Sequence, residues 1–231
     1  MTLTHSILEP NGLSITTPVG TILHSGDWKI DPNPLVGGNI DVKKLKEIGE
    51  KGVIAMISDS TNVFSEGRAG SELDVRESLL RIIEKKNKRI IVTSFASNVA
   101  RMETIFYCAK KTDREICLVG RSMHKIYKAA RKSGYMQNLI DPTEPSMAKK
   151  MARNKIIYLC TGSQGEPMGA MNRIVNGTHP DVFFESGDTV IFSSKIIPGN
   201  EKKLYNLQNQ ITKADVEIIT EENAFVHVSG H

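Results

Sequence analysis

The segment Val226-His227-Val228-Ser229-Gly230-His231 puts two histidines within five residues, separated by a serine and a glycine. Val226-His227-Val228 reads as a strand, and Ser229-Gly230-His231 as the turn that leaves it. Imidazole can act near neutral pH as base, acid or metal ligand. His5 stands before Ser6, close to a predicted β-hairpin, and Asp27 follows a strand in HSGDWK. A His and an Asp at strand ends could both ligate zinc or manganese; each could equally be structural. Asp59, in SDSTN, reads locally as an Asx-turn residue. His24, His124 and His179 read as strand, helix-start and loop residues without chemistry, and Trp28 as a core residue.

A second feature is TGSQGEP, residues 161–167, directly after an apolar run. Gly162, Ser163, Gln164 and Gly165 could present N–H groups to a phosphate at a helix N-terminus, or could simply form a tight turn into that helix. No Lys-Ser/Thr follows, so it is not a Walker loop, and it is not GxGxxG. SFASN (94–98) and GRS (120–122) also follow apolar runs. The Arg121 guanidinium could fork onto two phosphate oxygens or stay solvated.

These residues need a frame. LSITTPVGTILHSGDWKI alternates about Thr17-Pro18-Val19-Gly20, which predicts a hairpin. DVKKLKEIGEKG predicts a short helix, and VIAMIS a buried strand ending at Asp59. From residue 70 the pattern changes. SELDVRESLLRIIEKK opens with Ser71 and Asp74 as N-cap and first-turn acid. Strands RIIVTSF, EICLVG, KIIYLC, DTVIFSS and VEIITE then alternate with helices, which predicts a parallel sheet wound on both faces. The polar clusters after these strands fall at one carboxyl edge, where such folds bind ligands.

Composition excludes more than it selects. Apolar residues make up 39% and charged residues 24% of 231, ordinary for a globular protein. No apolar run approaches the roughly 18 residues that span a bilayer. The first residues lack the basic and apolar regions of a signal peptide. Cys108, Cys117 and Cys160 are odd in number and set among apolar residues. They read as buried reduced thiols of a cytoplasmic protein. The net charge of +4 permits a polyanionic partner without requiring one.

The strings THSILEPNGLSITTPVGTILHSGDWKID, ISDSTNVFSEGRAGSE, TSFASNVARM, TGSQGEPMGAM, GDTVIFSSKIIPGNE and HVSGH resemble the ribonuclease J family, from the β-CASP branch of the metallo-β-lactamase superfamily. The resemblance implies an α/β fold: a partial metallo-β-lactamase αββα segment plus a doubly wound, mostly parallel β-CASP domain. It implies residues 1–69 in the first, 70–221 in the second, and 222–231 as a return strand and turn.

It also implies a metal-dependent ribonuclease acting in RNA processing and decay, both 5′-to-3′ exonuclease and endonuclease. Two zinc ions, with Mn2+ or Mg2+ as alternatives, would serve the intact enzyme. His5 and Asp27 match metal positions, and His231 and Asp59 match a catalytic pair. His227, Ser229 and Gly230 match phosphate contacts. Ser97, Asn98, Arg121, Ser122, Ser163, Gln164 and Glu166 become candidates for the RNA or its 5′-phosphate. The implied partner is 5′-monophosphorylated single-stranded RNA, with no membrane and a homo-oligomeric intact enzyme.

The family's His-x-His-x-Asp-His run and a further histidine are absent. A truncated, inactive chain with weak or no metal binding is therefore expected. A non-catalytic RNA-binding module and a nucleotide-binding α/β protein stand as alternatives.

Overall fold

The computed structural model describes all 231 residues. Strands β1 (Leu13–Thr17) and β2 (Gly20–His24) form the predicted hairpin, with Thr17 opposite Gly20. Helix α1 (Val42–Glu50) is capped by Asp41, whose carboxylate accepts from the Lys44 N–H. β3 (Ala55–Ile57) then pairs parallel to β2 in a three-stranded sheet of order β1-β2-β3. The expectation that VIAMIS is buried fails. Ile54, Met56 and Ile57 are each more than half exposed, and β3 lies at the edge of its sheet.

The second unit is a three-layer α/β sandwich. Its strands are β4 (Ile90–Thr93), β5 (Glu115–Val119), β6 (Ile156–Cys160), β7 (Thr189–Phe192) and β8 (Glu217–Ile219). All pair in parallel, in the order β5-β6-β4-β7-β8. The helices are α2 (Glu72–Glu84), α3 (Val99–Lys111), α4 (Arg121–Lys132), the short α5 (Pro145–Ala148), α6 (Ala170–Val175) and α7 (Glu201–Lys213). The mostly parallel α/β class read from the sequence is the fold observed.

The strands are apolar on both faces, as a covered parallel sheet requires. In β6, Ile157 and Leu159 face the core beneath α2, α3 and α4, while Ile156, Tyr158 and Cys160 face the core beneath α6 and α7. The three cysteines are free and buried. Burial pushes each thiol up to about 12, so they pack as apolar groups. No helix is long and apolar enough to cross a membrane.

One strand reading is corrected. Val226–Val228 belongs to no sheet. The alternation is real, since Val226 and Val228 are buried in the core under α2–α4. The backbone is held by side chains instead of a ladder. Arg101 Nη1 and Ser193 Oγ both donate to the Val226 carbonyl, at 2.9 and 2.7 Å.

Arg101 is fully buried; its Nη1 also donates to Ser193, and its Nε and Nη2 meet the Glu72 carboxylate at 3.1–3.2 Å. Glu72 opens α2 behind the N-cap Ser71, which forms the capping box with Asp74. A buried ion pair is costly to break from one side, because the survivor stays desolvated. Arg101→Met is expected to destabilise the chain by about 3–5 kcal/mol. The double variant Glu72→Gln/Arg101→Met should recover part of that loss in urea unfolding.

Candidate metal and phosphate site

The parallel pairing of β2 and β3 sends the chain off the same sheet edge twice. After β2 it leaves through Ser25-Gly26-Asp27, and after β3 through Ser58-Asp59. The Ser25 hydroxyl accepts from the Asp59 N–H at 3.1 Å and ties the two exits together. The segment before β1 reaches the same place. Thr4 and Lys29 form an isolated antiparallel bridge, which sets His5 beside the Asp27 loop. The return segment 226–231 arrives from the other unit.

His5, Asp27 and His231 thus offer donor atoms that all lie within 4.8 Å of one another. The two imidazole centroids are 5.0 Å apart. Each ring is fixed through Nδ1. His5 Nδ1 donates to the Gly230 carbonyl at 2.6 Å, and His231 Nδ1 donates to Asp59 Oδ2 at 2.5 Å. Both contacts require the proton on Nδ1, which leaves each Nε2 lone pair for a ligand. Two oriented imidazoles and an exposed carboxylate fit a zinc-type cation.

Asp59 fills the turn role and the pairing role together. Oδ1 accepts from the Thr61 N–H and hydroxyl, at 2.8 and 2.6 Å, while Oδ2 takes His231 and the Trp28 N–H. Burial alone would raise this carboxyl. The donors from Thr61, His231 and Trp28 outweigh it and hold the group well below the usual carboxylate range.

Gly230 has a structural reason of its own. A Cβ there would lie 2.5 Å from His5 Cε1, so the glycine lets the backbone meet a histidine of the cluster. The Ser229 hydroxyl accepts from Asn62 Nδ2 and from the His231 N–H, both at 3.1 Å. Its carbonyl accepts from Lys29 Nζ at 3.0 Å. Lys29 and Asn62 carry no motif signal of their own. Their roles come from contacts about 170–200 residues away in sequence.

His227 points away from the core valines, and its Nδ1 is buried without a partner. Desolvation, then the nearby charges of Arg101, Lys195 and Lys29, push its pKa down to about 3.

The RNA candidates divide by their surroundings. The Asn98 amide caps α3 and donates to Glu72, and Gln164 clasps the loop after β7 through the Lys195 carbonyl and the Ile197 N–H. Both are buried scaffold. Glu166 accepts from the Gln164 N–H and closes the turn. Gly162 has φ 106°, and a Cβ on it would meet Met171 at 2.9 Å, so the glycines serve the tight turn. Ser163 Oγ and Ser94 Oγ are buried and unpartnered. Ser97, Arg121 and Ser122 are exposed at the same edge.

A groove of about 910 Å³ opens on His231 and is lined by Trp28, Lys29, Arg68, Ser71 and Lys195, among others. Trp28, expected in the core, is half-buried on this wall. The groove runs between the two units, since Trp28 follows β2 and Lys195 follows β7.

The family model described as "Ribonuclease J, beta-CASP domain" matches residues 87–211, more than half of the chain. The chain belongs to the ribonuclease J family. It is 42% identical over 231 residues to Ribonuclease J of Sinorhizobium meliloti, covering 98% of this chain and 40% of that protein. It is 43% identical to Ribonuclease J 1 of Streptococcus pyogenes, covering 99% and 41%. It is 35% identical to Ribonuclease J of Thermus thermophilus, covering 99% and 40%. The chain therefore spans about two fifths of the length of these relatives.

Two outcomes follow from the geometry. Gly230→Ala and Asp59→Asn each disturb the group that orients a histidine, and should weaken Zn2+ binding roughly 10- to 100-fold without changing the far-UV circular dichroism. For His227, the unfolded state binds a proton below its ordinary 6.5 while the folded state resists until about 3. Stability should therefore fall as pH drops across that window. His227→Gln should flatten the fall, as read by urea melts at pH values inside and above it.

Proposed function

We propose that this chain forms one part of a metal-dependent ribonuclease site that hydrolyses RNA phosphodiester bonds in RNA processing and decay. The observation that carries the reading is the convergence of His5, Asp27 and His231, with both Nδ1 atoms tied off by Gly230 and Asp59. The family relation supports RNA as the substrate.

A divalent ion bound there, Zn2+ foremost and Mn2+ or Mg2+ otherwise, supplies Lewis acidity and a water of lowered pKa. Asp27 and His5 hold it. His231, oriented by Asp59, ligates through Nε2 or, protonated, steadies phosphate charge and donates to the leaving 3′-oxygen. Lys195 and Arg68 draw the RNA backbone into the groove. Ser94, Ser163 and the unpartnered His227 Nδ1 offer contacts to a 5′-monophosphate or sugar. Threading of a 5′-monophosphorylated single strand gives 5′-to-3′ exonuclease action, and an internal segment lying in the open groove gives endonuclease cuts. The full-length protein acts in the cytoplasm as a homo-oligomer.

Three donors match the His/His/carboxylate set of one catalytic ion with an open position. A two-ion site needs more. This chain by itself is accordingly proposed to take up metal weakly, to bind RNA and not to cleave it. Zn2+ titration by calorimetry should give at most one weak site, lost in His5→Ala. Labelled RNA should shift in a gel in a salt-dependent way and stay intact. Metal-dependent cleavage with two ions bound per chain would sink the inactivity claim. Unchanged metal uptake in both His5→Ala and Asp27→Asn would sink the site.

A further inference from the structure

Helix α4 carries a charge pattern that the site does not use. Residues 121–140 contain Arg121, Lys125, Lys128, Arg131 and Lys132 and no acid, a charge of +5. The whole chain is +4, so the remaining residues sum to −1. All five cations lie on the single helix α4.

The placement is regular. Met123, Tyr127 and Ala130 are buried in the core. At 100° per residue, Arg121, Lys125, Lys128 and Lys132 fall on the opposite side, and all four are exposed. They form a straight row about 16 Å long. None of the four makes an ion pair; of this segment only Arg131 does, with Asp141.

Other exposed cations, among them Lys43, Lys110 and Lys202, are also unpaired, but they sit on helices that carry acids. Lys44 faces Glu47, Arg81 faces Glu77, Lys86 faces Glu217, and Lys155 faces Asp113. Each of the other long helices, α1, α2, α3 and α7, contains at least one acid. A solvated face selected only for solubility would mix signs in the same way.

The row starts at the ligand-binding edge of the sheet and ends beside a cavity that His5 lines. Arg121 starts at the sheet's carboxyl edge, directly after β5. Beyond Lys132, the Tyr135 hydroxyl donates to Glu9 at 3.0 Å. Tyr135 and Glu9 both line a second cavity of about 330 Å³ that His5 also lines.

We infer that the outer face of α4 is a track for the phosphate backbone of single-stranded RNA beyond the nucleotides held in the groove. A row of unpaired cations with an aromatic residue at its end suits a flexible polyanion, whose affinity grows with the phosphates engaged. This rests on the reading that RNA is the substrate.

The test uses Lys125→Gln/Lys128→Gln/Lys132→Gln in the full chain. Glutamine is a good helix former at these exposed positions, so the fold should persist, as checked by thermal melting. Anisotropy titrations compare a 5′-phosphorylated tetranucleotide with a strand of roughly 16 nucleotides. The tetranucleotide should bind both proteins alike. For the long strand, the triple variant should lose affinity, and its dependence of log K on log salt should flatten by about 2, at about 0.7 per phosphate. Equal affinity and equal slope for the long strand in both proteins would overturn the track and leave the RNA reading standing. Failure of the wild type to bind either RNA would overturn both. Polyglutamate binding the wild type as tightly as the long RNA would reassign the face to an acidic protein.

Discussion

Two buried cations hold the molecule's working parts together. Arg101 is neutralised by Glu72, and Lys29 by Asp31 at 3.6 Å. Each keeps an N–H for a backbone carbonyl of the return segment: Arg101 for Val226, Lys29 for Ser229. Lys29 also donates to Gly70, at the entry to α2, and Asp31 accepts from the Ser71 hydroxyl and the Glu72 N–H. A segment without a sheet ladder is thereby fixed at two points three residues apart. Charge-assisted hydrogen bonds suit this task because they remain strong where water is excluded.

The histidine cluster follows from that anchoring. With Ser229 pinned, Gly230 meets His5 and His231 meets Asp59, and the donors come from three stretches of chain that share no sheet. Lys29 touches all three lines of descent. Its backbone bridges Thr4, next to His5; it lies two residues after Asp27; and its ammonium holds Ser229. Burial first, and then the nearby charges of Arg101, Lys195 and Lys29, hold His227 neutral.

The alternation of strands and helices was legible because periodicity reports local burial, and the start of α2 was legible from Ser71 as N-cap and Asp74 as first-turn acid; that the two close a capping box needed the structure. The exposure of β3 was not, since an apolar run says that a strand could be covered and not that this chain covers it. Val226–Val228 shows the same limit: alternation gave the buried valines and missed that side chains replace the ladder. At the site, His5, Asp27, Asp59 and His231 were named by resemblance, and their mutual geometry needed the fold. Asn98 and Gln164 illustrate the opposite case. A polar residue at a loop after a strand serves a cap or a clasp as readily as a ligand, and only its hydrogen bonds distinguish the two.

The distribution of charge separates fastening from attraction. Arg101 and Lys29 are each compensated by an acid in contact, so little of their field reaches beyond the roughly 8 Å over which salt screens at physiological strength. Whatever draws a polyanion from solution must come from cations that have no acid beside them. In this chain the row on α4 is such a set. On the proposed reading, the buried pairs set the geometry and the exposed row governs the salt-dependent encounter. A structure in which the two tasks fall to different residues can change its affinity for long strands without moving the histidines.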